Sequence, residues 1–507
     1  MSIHTLARPK LLNTASRFVL WSMLVFACQA QAAASPRLHA DTLPAPVLQA
    51  LRKAQVPPSA FTAVVSALPN AAAAVPSRGL NHLAEEPRNP ASVMKLVTTY
   101  AGLSLLGPEH VWRNRVYADG PIQAGVLQGN LILRGSGDPK LVLERLQALM
   151  SQLQAAGVRE VRGDIVLDRN VFDVTQRSEP FDDEPLRPYN VSPDGLLLNF
   201  KAVVYTFRPD PATGKARVRY EPPLAGFEAP TELPLAGGPC NDWRSQLRAD
   251  FSQVSTVRFA GSYPASCGER PWPVAYPAPE LYAPKVIQAL WQEAGGRLGG
   301  QVRYGTLPPQ AKLLLEAPSL PLNDIIADIN KFSNNVMAQQ LFLTLSSELG
   351  SPGRFEASRL RVTRWWRDNF PGLPAPILDN GSGLSREERS TGQGLTALLH
   401  AASASPHAQV FQASLSIAGV DGTAQRLRER LPGSSLMGQA WLKTGSLRDV
   451  SSVAGYVQGQ SGQRYSVVGI VNHPNASQAR PALDALLEWT VRDTNNTANT
   501  RAAAKAR

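Results

Sequence analysis

Three short stretches of the 507-residue chain carry side chains that could run acyl transfer. Ser92-x-x-Lys95 sets a hydroxyl three residues before an amine. Ser333-Asn334-Asn335 offers a second hydroxyl beside a carboxamide, and Lys443-Thr444-Gly445 a second amine beside a glycine. A serine is a weak nucleophile until a base takes its proton. A lysine is such a base near neutrality only where burial or another positive charge lowers its pKa. Ser-x-x-Lys arises from composition roughly once or twice in a chain this long, so alone it decides nothing. Lys-Thr-Gly is expected about once in ten such chains, and all three in this order are much rarer.

Each stretch needs an element to aim it. Asn89 and Pro90 read as the N-cap and first residue of a helix, with Leu96, Leu103 and Leu106 at helical spacing and Gly107-Pro108 as the stop. Ser92 then falls in the first turn, where backbone N–H groups lack intrahelical partners, and Lys95 shares its face. Helical patterns over 322–329 and 336–349 flank Ser333-Asn334-Asn335. Residues two apart do not share a helix face, so Ser333 and Asn335 converge only if a turn separates two helices. Periodicity alone favours one continuous helix with a polar patch. Residues 440–446 read as a strand end, with Trp441, Lys443 and Gly445 on one face and Leu442 and Thr444 on the other. Glycine there lets another backbone come close. Residues 450–457 and 465–471 read as an antiparallel pair, and 483–489 as a closing helix.

Composition places the chain among globular proteins, with 43% hydrophobic and 18% charged residues. Its length predicts two or three domains. Residues 1–34 read as a cleaved secretory signal: Arg8, Lys10 and Arg17, an apolar run over 18–27, then small residues. Losing those three basic residues takes the formal net charge from +11 to +8, which favours anionic envelope polymers or membrane surfaces. The basic residues are scattered without aromatic interleaving, which argues against nucleic acid. Two cysteines remain beyond the leader, Cys240 and Cys267. In an oxidising compartment a pair predicts one disulfide, with two buried thiols as the alternative. No metal-ligand spacing is evident, so no metal or cofactor is expected.

Short strand-like runs dominate 117–307, interrupted by a helix over 141–156, and helical patterns return near Leu320. This predicts a discontinuous core of 35–116 and 308–492 around a mainly β insertion at 117–307, with a disordered tail at 493–507.

The three motifs are the set found in penicillin-binding proteins and class A β-lactamases. Together with Gly135-Ser136-Gly137-Asp138-Pro139, Gly381-Ser382-Gly383-Leu384-Ser385-Arg386, Ala418-Gly419-Val420-Asp421-Gly422-Thr423 and the large cysteine-bearing insertion, they make the chain resemble the class C low-molecular-mass penicillin-binding proteins, D-alanyl-D-alanine carboxypeptidase/endopeptidases. The resemblance covers nearly the whole chain beyond the leader. One departure is Asp379-Asn380-Gly381, where Asp directly before Gly is expected; the sequence sets it away from the three motifs.

The resemblance implies an α+β fold of the serine β-lactamase/transpeptidase kind, an antiparallel sheet flanked by helices. It implies Ser92 as nucleophile, Lys95 as its base, and Ser333 with Lys443 relaying a proton to the leaving group. Asn335 would hold a substrate amide, and Lys443 with the Thr444 or Ser446 hydroxyl would meet the terminal carboxylate. The N–H groups of Ser92 and Ser446 would bind the oxyanion, with the peptide added as a strand beside Gly445. Peptidoglycan stem peptides are the implied substrates, β-lactams the covalent inhibitors, and the periplasm the location, with loose association with the membrane or cell-wall machinery. Asp168 and Arg386 are implied in a pocket reading the stem side chain; a turn aspartate and a surface arginine are the plainer account. A β-lactamase would need a deacylating glutamate, and none stands in that family's setting between Asn335 and Leu378. A decayed binding protein would not need every motif intact.

Overall fold

The structure, a computed structural model, describes residues 38–40, 42–69, 78–174 and 180–496. The expected leader and the tail from residue 497 lie outside them. Asp493–Asn496, expected in the disordered tail, forms a short 3-10 turn. Its anchor is the buried Asp493 carboxylate, which accepts from the Tyr465 hydroxyl at 3.0 Å and from Ser461 N at 2.8 Å.

A seven-stranded sheet organises the catalytic part. Its order is Leu38–Ala40, Arg78–His82, Phe61–Ala67, Arg464–Asn472, Val450–Gln458, Ala440–Leu447 and Ser416–Ile417. All neighbours are antiparallel except the first pair. Val450–Gln458 is buried along its length up to its last residue. A strand covered on both faces has no side to give to water, and this one carries no charged side chain. Ala45–Lys53 and Arg480–Val491 share one apolar cluster with the sheet. The helices Lys95–Leu106, Leu322–Phe332, Asn335–Ser347 and Gly392–Ala404 share another. In Lys95–Leu106 every residue through Leu103 is buried, so the helix that begins at Lys95 is core on all sides. Leu96→Ala there would cost about 2–5 kcal/mol.

Two of the longer helices escaped the sequence pattern. Phe355–Asn369 buries only a thin stripe, including Val362, Trp365 and Trp366, under a largely charged surface. Pro279–Glu293 carries Pro279 and Pro284 in a proline-rich region.

Between the helix Lys95–Leu106 and Leu322, the chain leaves and returns through one strand pair, Arg113–Ala118 against Lys312–Pro318. The pair edges a five-stranded sheet completed by Leu131–Arg134, Ile165–Asp168 and Val302–Tyr304. Leu131–Arg134 and Ile165–Asp168 are parallel, and the helix Leu143–Ala155 makes the crossover they require. A second five-stranded sheet is built on Ala202–Asp210, and both sheets contribute to one apolar cluster. The apolar run 196–198 is not part of this strand, which begins only at Ala202. Asn199, Phe200 and Lys201 all hold positive φ, which no strand can contain. Cys240 and Cys267 are disulfide-bonded here.

Candidate active site

The turn that presents Ser92 differs from the expected helix start. The N-cap position falls to Pro90 rather than Asn89, and the first turn, Ala91–Met94, is a 3-10 helix; Asn89 precedes the cap and its Oδ1 takes the Ala91 N–H at 2.9 Å. Ala91 is held at φ +46°, a left-handed conformation that costs about 1–2 kcal/mol. Neighbours pin it there. The Ser452 hydroxyl donates to Pro90 O at 2.7 Å, and Asn472 exchanges two hydrogen bonds with the Asn89 backbone. Gly383 lies so close that a Cβ on it would sit 2.0 Å from Ala91 O.

Lys95 Nζ is fully buried and donates to Ser92 Oγ at 3.0 Å, to Asn335 Oδ1 at 2.6 Å and to Ser382 O. Burial pulls its pKa from the usual lysine range to about 7, against an opposing pull from the Glu388 carboxylate. A large share is therefore free base at neutral pH, as a proton acceptor for Ser92 must be.

Ser333 is where the two motif helices part. It ends Leu322–Phe332 in a left-handed conformation at φ +57°, and Asn334 caps Asn335–Ser347 through a bond from Met337 N at 3.1 Å. The continuous helix favoured by periodicity is thus replaced by a turn, because a left-handed residue cannot extend a right-handed helix. That turn sends Ser333 to Lys443 and Asn335 to Lys95. Lys443 Nζ donates to Ser333 Oγ at 2.9 Å and to Thr444 O at 2.7 Å. Burial and the charge of Lys95 hold its pKa well below the lysine range. Two lysine–serine pairs thus lie close enough for the charge of one amine to act on the other, and Asn335 ties Lys95 to Tyr189 O through a bond of 3.1 Å.

The strand Ala440–Leu447 pairs along its whole length with Val450–Gln458, but on its other side Ser416–Ile417 pairs only with Leu442 and Trp441. The edge from Lys443 onward is open. Gly445 passes under the Ser92 turn: a Cβ there would lie 2.9 Å from Ser92 N and 2.8 Å from Pro90 O. Ser446 follows it, exposed. The Thr444 hydroxyl donates to Thr423 Oγ1 at 2.7 Å.

Three supporting groups have no role assigned from the sequence: Ser382 and Thr423 stand in stretches that carry the resemblance, while Glu388 is not singled out there. The Ser382 carbonyl joins the loop 379–385 directly to Lys95, so the Asp379-Asn380-Gly381 departure lies beside the motifs rather than away from them. Asn380 fits by shaping the loop: its side chain accepts from Ser382 N at 3.0 Å and from the Ser382 hydroxyl at 2.6 Å. Buried Glu388 fixes the loop from below, one oxygen accepting the N–H groups of Asp379, Asn380 and Gly381 at 3.1, 3.1 and 2.8 Å. Burial raises its pKa, partly offset by those bonds. Thr423 is the third, brought in by Ala418-Gly419-Val420-Asp421-Gly422-Thr423, which follows Ser416–Ile417.

The two proposed specificity residues are placed differently. Arg386 donates to Asp182 at 2.7 Å and to Asp449 at 2.6 Å, with its guanidinium 4.7 Å over the Phe181 ring. Asp449 is in the turn after the strand carrying Ser446, so Arg386 joins that end of the cleft to the inserted segment. Asp168 is buried in the insertion, accepting from Asn170 N and Leu307 N at 3.0 Å each, with Arg134 3.9 Å away. Among the described residues no contact joins it to Arg386 or to the lysines.

A buried lysine bonded to a helix-start serine, with a second lysine on an open strand edge, defines a serine acyl-transfer site on a transpeptidase-like fold. The profile of the D-Ala-D-Ala carboxypeptidase 3 (S13) family matches residues 47–492, and the chain belongs to this family of serine-type D-Ala-D-Ala carboxypeptidases. It is 31% identical over 410 residues to the D-alanyl-D-alanine carboxypeptidase of Actinomadura sp. strain R39, covering 77% of this chain and 74% of that one. Its fold is similar to the crystal structure of penicillin-binding protein 4 from Haemophilus influenzae, with TM-score 0.68 and 22% identity over 87% of this chain and 99% of that one. The same relative complexed with a β-lactam matches at TM-score 0.64, with the same identity and coverage.

Proposed function

We propose that this carboxypeptidase is exported to the periplasm and also acts as a DD-endopeptidase on cross-linked peptidoglycan stems, in cell-wall remodelling. The observation that carries the catalytic assignment is the Lys95 amine, 3.0 Å from Ser92 Oγ with its pKa near 7.

In this reading Ser92 Oγ attacks the carbonyl of the penultimate D-alanine as its proton passes to Lys95. The C–N bond breaks, the leaving amine takes a proton through Ser333 and Lys443, and water then releases the acyl group from Ser92. The oxyanion binds to the N–H groups of Ser92 and Ser446, fixed dipoles that need no reorganisation during reaction. Asn335 orients a substrate amide, and Lys443 with Thr444 or Ser446 meets the terminal carboxylate. The stem lies along the open strand edge beside Gly445. Arg386 reads the stem side chain; Asp168 is proposed beside it on the family resemblance alone. A β-lactam mimics the acyl-D-Ala-D-Ala end and acylates the same serine. The mature net charge of +8 supports loose association with anionic envelope surfaces.

Labelling with a fluorescent penicillin, beside Ser92→Ala, tests the nucleophile: a stable adduct on the wild type alone is expected. No adduct on either would remove the assignment. Digestion of purified muropeptides, monomeric and cross-linked, tests the endopeptidase activity.

A further inference from the structure

Behind the Lys443-Thr444-Gly445 strand lies a cavity of about 540 Å³ that the reaction as described leaves empty. It opens along Thr444, Gly445 and Ser446 and runs back toward the helix Arg480–Val491. Its charged lining is basic: Lys331, Arg426, Arg430 and Arg480 against Asp484. Two of these cations are already neutralised. Lys331 pairs with Asp421, and Arg430 with Asp484 through two bonds of 2.8 and 2.9 Å. Among the described residues, the exposed side chains of Arg426 and Arg480 make neither hydrogen bond nor ion pair, so the cavity carries two unpaired guanidinium groups. A second observation points the same way. Ser451, on the strand next to Ser446 and 2% exposed, lines the cavity with its hydroxyl oxygen buried and without a partner among the described residues. A buried hydroxyl left unpaired is costly, and a ligand that accepts from it relieves that cost. Phe332, 66% exposed, adds an apolar face immediately before Ser333.

We propose that this cavity is the leaving-side subsite for a cross-linked stem, taking the carboxylate-bearing peptide released when the D-alanyl bond to it is cut. The proposal rests on the catalytic reading above and concerns what lies beyond the scissile bond. Thr444, which meets the leaving carboxylate in that reading, lines the cavity, and Phe332 brings the lining to the residue before Ser333. A departing D-alanine brings one carboxylate and a methyl group, which Lys443 and the strand hydroxyls already accommodate. It fills little of a space of drug-ligand size and pairs with neither free arginine. The leaving half of a cross-link carries several carboxylates, and arginine forks match them in charge and geometry. The chemistry balances as for the short substrate: the acyl carbon forms a bond to Ser92 Oγ, the C–N bond breaks, and the freed amine of the second stem takes the proton relayed by Ser333 and Lys443.

The test compares kcat/KM for a purified cross-linked stem-peptide dimer and for a monomeric stem ending in D-Ala-D-Ala. The wild type is set beside the doubly substituted Arg426→Ala/Arg480→Ala and Arg426→Lys/Arg480→Lys proteins, with penicillin acylation of Ser92 reporting an intact centre. The dimer-to-monomer ratio is expected to fall by about tenfold or more in the alanine protein and to recover in part in the lysine one. Salt should depress dimer cleavage more steeply in the wild type than in the alanine protein. An unchanged ratio with normal acylation overturns the subsite alone, as does a wild type that trims the monomer but leaves the dimer uncut. A wild type that forms no Ser92 adduct overturns the catalytic reading and the subsite with it.

Discussion

Gly445 and the Ser92 backbone nitrogen stand so close that a methyl group on the glycine would lie 2.9 Å from that nitrogen. The same methyl would meet Pro90 O and the Ser452 hydroxyl, the group that pins the strained turn. Gly445→Ala should therefore push the strand away from the proposed oxyanion donors. Penicillin acylation is expected to slow by about a hundredfold, as when one such donor is removed. Overpacking should cost about 1–3 kcal/mol, read from urea unfolding. Acylation at the wild-type rate would show that the strand can shift without harm.

Lys95 gives the enzyme a pH signature. As a base with pKa about 7 it should make the acylation rate fall about tenfold per pH unit below that value and level off above it. An ordinary exposed lysine would leave the rate still climbing at pH 9.

The same shift acts on stability. The folded pKa of about 7 lies below the unfolded value, near 10.4, so between them the unfolded chain binds a proton the folded chain has released. Stability from this group therefore rises with pH across that window and is lowest below pH 7. Lys95→Met should abolish acylation yet withstand more urea than the wild type, with the gap largest near pH 6 and closing toward pH 10. A variant weaker at every pH would show that the amine's hydrogen bonds outweigh the cost of burying its charge.

Glu388→Ala leaves three backbone N–H groups of the loop 379–381 without their acceptor. A loss of about 1–3 kcal/mol in unfolding free energy is expected, with slower acylation because Ser382 O no longer holds Lys95. Glu388→Gln keeps an acceptor oxygen and should recover most of both. Equal losses in the two variants would assign the effect to the charge instead.

Arg386→Ala breaks two ion pairs at the Ser446 end of the cleft. KM for stem peptides should rise about tenfold while penicillin acylation stays within about twofold, the pattern of lost substrate binding rather than lost chemistry. Unchanged KM would make the arginine a strut between the core and the insertion.

Much of this site was legible in the sequence because its chemistry sits in short motifs on well-patterned elements. The Val450–Gln458 and Arg464–Asn472 hairpin matched its sequence pattern closely. What stayed hidden depends on distant partners. The left-handed Ser333 turn carries no glycine to announce it, and its packing overrides an otherwise helical pattern. Glu388 reads as one of a surface pair, yet it is buried beneath a loop that precedes it in the chain. The tie from Ser382 O to Lys95 spans 287 positions and leaves no local trace.

The strand pair Arg113–Ala118 and Lys312–Pro318 continues below as Ser319 N to Trp112 O, Leu322 N to His110 O and Asn323 N to Pro108 O, so the two ends of the long insertion are zipped together. To the catalytic core the whole excursion is one closed loop. Loop-closure entropy grows only logarithmically, about 0.6 kcal/mol for each doubling of length. Stretches of the excursion that touch nothing outside it could therefore lengthen at little thermodynamic cost, whereas Tyr189, Asp194 and Asp182, which bond to Asn335, Gln340 and Arg386, could not be lost without loosening the site.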